Sequence, residues 1–93
     1  MPKPMNYRVE ISLEARKEIK ALSGRVRSPA LKIINSLSEN PLPAEAKELR
    51  GKKGFYRVWL MGKWRIAYRI VEDEKLVEIL RVRRKEDIDY DSL

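Results

Sequence analysis

Three runs rich in β-branched and aromatic residues, Phe55–Met61, Trp64–Val71 and Lys75–Val82, follow one another with only two or three residues between them. No helix fits in such short connections, so each run must pair with its neighbour in sequence as antiparallel sheet. Gly62-Lys63 reads as a two-residue hairpin turn with Gly first, as type II′ prefers, and Glu72-Asp73-Glu74 as the second turn. Upstream, Tyr7, Val9 and Ile11 alternate with Arg8 and Glu10, which predicts a half-buried strand over Asn6–Ile11.

Between that strand and the three runs the apolar period changes to a helical one. Ser12 is a suitable N-cap with Glu14 in the first turn, and Ala15, Ile19 and Leu22 form an apolar stripe that Gly24 is expected to end in a left-handed conformation. Ser28-Pro29 is expected to start a second helix, lined by Leu31, Ile34 and Leu37 and stopped at Asn40-Pro41. The expected fold is α+β in the order β-α-α-β-β-β, an antiparallel sheet with an N-terminal helical hairpin packed on one face. Ninety-three residues suffice for one core, so 1–93 is expected to be a single domain. Residues 1–5 read as a flexible leader, 41–54 as a connector and 83–93 as a C-terminal tail.

Charge is concentrated on the predicted sheet. Arg50 to Lys85 holds twelve basic and four acidic residues, a net +8, whereas the rest of the chain nets −1. Both tryptophans and three of the four tyrosines lie between Tyr56 and Tyr90. Cations interleaved with π-faces suit a polyanion with exposed bases, RNA above all. The absence of His and Cys excludes the usual zinc sites, thiol catalysis and a Ser-His-Asp triad. Gly51-Lys52-Lys53-Gly54 lacks the phosphate-loop spacing. No metal or cofactor is expected. No stretch approaches the roughly 20 apolar residues of a membrane span, and a cytoplasmic location is expected. Acid–base work would fall to Lys, Tyr, Asp, Glu, or Arg acting electrostatically.

Alternation along the strands sets Tyr56, Val58 and Leu60 on one face and Arg57, Trp59 and Met61 on the other. In the next run Trp64, Ile66, Tyr68 and Ile70 share the apolar face, leaving Arg65, Ala67 and Arg69 opposite. Arg57 and Arg65 are therefore expected to project from an open face beside an exposed Trp59. The third run is apolar on both sides except at Glu78 and Arg81, which leaves its parity open, and it delivers Arg83, Arg84 and Lys85 at its end.

These residues carry a resemblance. The element order, Leu49-Arg50-Gly51, the hairpin from Tyr56-Arg57-Val58 to Trp64-Arg65-Ile66-Ala67-Tyr68, and Val82-Arg83-Arg84-Lys85 closely resemble the RelE/ParE toxin superfamily from about Asn6 to Tyr90. Similarity to the RelE branch implies the toxin of a type II toxin–antitoxin system. It would be a ribosome-dependent endoribonuclease (an mRNA interferase) acting on ribosome-bound mRNA. A wrapping RelB-like antitoxin would neutralise it, and the free toxin is expected to be monomeric. The matching catalytic positions are Arg57, Arg65, Arg84, Lys85 and Tyr90, with Lys52, Lys53, Trp59 and Arg83 as RNA-binding candidates. Two departures are visible: Trp59 stands where a second basic residue is often found, and Tyr90 aligns only after a one-residue shift through Ile88-Asp89.

The resemblance implies that the mRNA 2′-OH attacks its own phosphate. Arg65 would hold that phosphate, Arg57 with Lys52 or Lys53 would orient or activate the hydroxyl, and Lys85 or Arg84 would steady the leaving oxygen. Tyr90 would stack on a base or share a proton. Simpler alternatives are that Arg57, Arg69, Lys52 and Lys53 only solvate the surface and that Tyr90 only packs. Other functions compatible with the sequence are a ParE-like toxin that inhibits DNA gyrase without a nuclease site, a non-catalytic RNA- or ribosome-binding module, and a toxin whose site has decayed.

Overall fold

A computed structural model describes residues 6–93, so the expected leader lies outside the described residues. The chain runs β1 (Arg8–Ile11), α1 (Leu13–Ala21), α2 (Gly24–Ser36), β2 (Lys47–Glu48), β3 (Phe55–Leu60), β4 (Trp64–Val71) and β5 (Leu76–Arg84), with 3-10 turns at Glu72–Glu74, Lys85–Asp87 and Tyr90–Ser92. The five strands form one sheet in the order β1-β5-β4-β3-β2. The α+β class is as expected, with two refinements. The sheet is mixed, because β1 runs parallel to β5, the arrangement a helical crossover permits. A two-residue strand, β2, also adds to β3 from the connector.

The helical hairpin is tighter than the sequence suggested. Ser12 caps α1 as expected, its Oγ accepting from the Ala15 N–H at 3.1 Å. Gly24 does not end that helix; α1 stops at Ala21 and Gly24 is the first residue of α2. The guanidinium of Arg27 takes over the terminal carbonyls instead, donating to Ile19 O, Lys20 O and Leu22 O at 3.1, 3.0 and 2.6 Å. α2 therefore starts before Ser28-Pro29 and carries Pro29 inside it. The earlier start buries Val26 and Ala30 in line with Ile34 and Leu37, while Leu31, expected inside, is 37% exposed.

Sheet parity follows the alternation. Val58, Leu60, Ile66 and Tyr68 join the helices in the core, with Tyr56, Trp64 and Ile70 packed around them. Tyr68 is fully buried, stacks on Tyr56 at 5.8 Å between ring centroids, and donates to Pro41 O at 2.7 Å. Burial, and then the neighbouring Tyr56, push its hydroxyl above the ordinary tyrosine range. A bulge between Ala67/Tyr68 and their β5 partners shifts the phase of β5, so Val77 and Ile79 face the core before it and Val82 after it. The β3–β4 connection has three residues, Met61 to Lys63, rather than two, because Leu60 pairs with Trp64. Met61 and Gly62 both have positive φ, 52° and 74°.

Beyond Ile79 the outer edge of β5 has no strand beside it, since β1 ends at Ile11. Side chains from the start of α1 and its second turn complete that edge. The Ser12 hydroxyl donates to Leu80 O at 3.1 Å, and Oε1 of Glu18 accepts from the Val82 N–H at 2.9 Å.

Candidate nucleic-acid interface

Strand register lays out the face opposite the helices as transverse rows. One row is Lys47, Arg57, Ala67 and Arg81 across β2, β3, β4 and β5. The next is Trp59, Arg65 and Arg83, and a third is Phe55, Arg69 and Glu78. Six cations thus share one face around Ala67, which is itself fully buried. Paired residues lie only about 4.5–5.5 Å apart, so these cations form one field rather than isolated charges.

The arginines differ in what holds them. Arg57 is half-buried and has no acidic partner within ion-pairing distance among the described residues. Arg65 was expected to project freely, and it does not: it is only 4% exposed. Its Nη1 donates to Gly62 O at 3.0 Å and Trp64 O at 2.8 Å, and the ring of Trp59 lies 4.6 Å from its guanidinium carbon. The charge thereby pins the three-residue turn. Trp59 is 54% exposed, on the open face as expected, with one side of its ring given to Arg65. Arg69 is tied to Glu78 at 2.6 Å, which fits a solvated ion pair.

Arg83 and Arg84 point to opposite faces. Arg83 pairs with Arg65 on the open face, whereas Arg84 pairs with Trp64 and its guanidinium carbon lies 5.4 Å from that ring. The expected cluster is therefore divided: Arg57, Arg65, Trp59 and Arg83 come together, and Arg84 does not join them. Lys85 is exposed, and its backbone N–H donates to Lys63 O at 2.9 Å. From there the tail returns toward the other end of β3, where the Nζ of Lys52 donates to Leu93 O at 3.1 Å and sits 5.5 Å from the ring of Phe55, an open-face residue. Tyr90, in the 3-10 turn between these two contacts, is half-buried. Lys52 is positioned by the Leu49-Arg50-Gly51 turn, in which Lys52 N–H donates to Leu49 O at 3.2 Å and Gly51 has φ 74°, the left-handed value a type II turn requires. Lys53 is exposed.

Glu18 is the residue the sequence reading missed. Its Oε2 accepts from Arg81 Nη1 at 2.9 Å and lies 3.1 Å from Arg83 Nε, so one carboxylate of α1 holds two arginines of β5. A signal was available: Ala15, Glu18 and Leu22 share helical spacing, which puts an acid at the margin of the buried stripe where it needs a cationic partner. Among the described residues no group of three or more acidic side chains gathers to hold a metal. No described helix is long and apolar enough to cross a membrane.

The structure is a two-layer α+β fold whose open sheet face is cationic and carries Trp59 and Phe55. The family of ParE toxins of type II toxin–antitoxin systems, parDE, matches residues 9–88. A Methanocaldococcus jannaschii protein bearing the name toxin RelE1 is 32% identical over 85 residues, spanning 88% of this chain and 93% of its own. The toxin–antitoxin complex RelBE2 of Mycobacterium tuberculosis superposes with a TM-score of 0.72 at 29% identity, over 86% of this chain and 99% of that one. The archaeal RelE–RelB complex of Pyrococcus horikoshii gives 0.76 at 25% identity, over 90% and 100%. The chain belongs to the RelE/ParE superfamily and is a toxin of a type II toxin–antitoxin system.

Proposed function

We propose that this toxin is a metal-independent endoribonuclease that cuts ribosome-bound mRNA through attack of the 2′-OH on the adjacent phosphate. The observation that carries the proposal is the open-face array in which Arg57 stands in one row with Lys47 and Arg81 and the next row holds Arg65 and Arg83. A guanidinium with no acidic partner among the described residues suits a phosphate, which it binds through two parallel N–H groups. Arg57 is therefore the first choice for the scissile phosphate, in place of Arg65, whose Nη1 is committed to the turn. Arg65 supports the field and holds Trp59, whose free ring face suits an unstacked base. Lys52, beside Phe55, borders the same face, and with Lys53, Tyr90 and Lys85 it completes the set of candidates for proton transfer and leaving-group support. Arg84 is assigned a supporting contact outside the reacting centre. A RelB-like acidic, largely helical antitoxin would cover the face and neutralise its charge.

The test is cleavage of mRNA on purified ribosomes with the fragment ends mapped. Expected products are a 2′,3′-cyclic phosphate or 3′-phosphate upstream and a 5′-hydroxyl downstream, and a 2′-deoxy substitution at the cut nucleotide should block cleavage while sparing binding. Normal cutting of the 2′-deoxy substrate, or a downstream 5′-phosphate, refutes the mechanism. A second reading, inhibition of DNA gyrase without nuclease chemistry, is favoured by the ParE family match and by Trp59 standing in the basic row. Gyrase-trapped DNA breaks in expressing cells, with mRNA left whole, would establish it.

A further inference from the structure

We infer that Glu18 is a positioning residue for the basic face: it holds Arg83 so that the end of its guanidinium fork stays available to RNA. The inference deepens the endoribonuclease proposal and rests on it for its kinetic test.

Glu18 is enclosed, its side chain 18% exposed, and all its bonding is directed at three consecutive residues of β5. Oε1 accepts from the Val82 N–H and Oε2 from Arg81 Nη1, and Oε2 also forms an ion pair with Arg83, 3.1 Å from its Nε. A carboxylate on the Nε side of a guanidinium approaches it side-on and leaves the end-on pair, one N–H each of Nη1 and Nη2, free of that carboxylate. Arg83 is the cross-strand partner of Arg65, which stands opposite Trp59, so the row presents one aromatic ring and one oriented fork. An arginine that is 42% exposed and unpaired would sample many rotamers; the backbone bond at Val82 fixes the carboxylate, and the carboxylate fixes the arginine. An acid in a strongly basic site opposes polyanion affinity in purely coulombic terms. Placing it beside the fork exchanges some attraction for geometry, the exchange that catalysis favours.

That opposition separates positioning from mere attraction. Glu18→Gln keeps an acceptor for the Val82 N–H and raises the net charge from +7 to +8. Affinity for a fluorescently labelled single-stranded RNA is then expected to stay equal or tighten, while the cleavage rate at saturating ribosome-bound mRNA falls by about 10- to 100-fold. Combined with Arg83→Ala, Glu18→Gln should add no further loss in rate, because its effect passes through Arg83. The side-chain order parameter of Arg83 Nε, measured by NMR, should be high in the parent and drop in Glu18→Gln. Thermal unfolding of each variant shows whether rate losses merely follow the unfolded fraction. The inference is overturned by full-rate cleavage in folded Glu18→Gln, by an equal penalty with and without Arg83, by losses that track unfolding, or by a disordered Arg83 in the parent. An ordered Arg83 in a parent that cuts no mRNA instead overturns the endoribonuclease proposal and leaves the positioning intact.

Discussion

Replacing Arg65 with alanine should damage the fold before it damages any chemistry. The guanidinium is buried and spends Nη1 on two turn carbonyls, Gly62 O and Trp64 O. Hydrogen bonds from a charged donor contribute roughly 1.5–3 kcal/mol each, but Gly62 is exposed and water can replace part of its bond. The stack under a half-exposed Trp59 adds roughly 0.5–1 kcal/mol, and the buried methylenes of the stem about 0.8 kcal/mol each. Even with the Gly62 bond fully replaced by water, the loss should be about 4 kcal/mol, which for a domain of this size lowers Tm by roughly 16–32 °C. Urea unfolding followed by far-ultraviolet circular dichroism measures it without relying on Trp59, whose fluorescence changes with the substitution. Arg65→Lys should fall between, because an ammonium keeps the charge and loses the planar fork. A change below about 0.5 kcal/mol, within the range of ordinary surface substitutions, would mean that the guanidinium is not holding the turn in solution. Activity of Arg65 variants is interpretable only after this correction.

Arg57→Ala should leave Tm within a few degrees of the parent yet lower mRNA cleavage by about 10²–10³-fold, the cost of losing one positioned charge contact; a folded variant with parental rates removes Arg57 from the site. Tyr68→Phe tests the buried hydroxyl through alkaline titration. Because the folded-state value is raised above the ordinary 10.0, the stability tied to this proton is complete below about pH 10 and is lost as pH climbs toward the folded value. The variant should lose stability less steeply there, by up to about 1.4 kcal/mol per pH unit for one proton, and identical slopes contradict the burial argument. Met61→Asn should raise stability by about 0.5–1 kcal/mol, since Asn-Gly is the preferred pair where two successive residues have positive φ; a lower Tm would show that the Met61 side chain packs usefully.

Much of this architecture was legible because two periods, of two and of about 3.6 residues, are written clearly in the chain. The faces of β3 and β4 follow from alternation alone, from Tyr56 to Leu60 and from Trp64 to Ile70. What escaped depends on contacts distant in sequence. Arg27 ends α1 by reaching back over the turn, which no local signal at Gly24 reveals. The parity of β5 stayed open because the bulge near Leu80 changes it midway, so no single alternation describes the strand. Composition named the basic residues of the candidate interface, but strand register separates Arg84 from Arg83, and the hairpin turn claims Arg65. Glu18 was hidden because its partners lie more than sixty positions away.

The manner in which the sheet ends on each side bears on how such a chain survives alone. Unpaired strand edges invite identical edges from other copies, and a mixed sheet with a long bare strand would be a template for fibres. Here β2 offers only two residues on one side; on the other β1 offers four, and the half of β5 beyond it is occupied by a serine hydroxyl and a glutamate rather than by another strand. Flanking arginines add like-charge repulsion between copies. For a toxin released from its protective escort, such short margins should disfavour growth of the sheet from copy to copy.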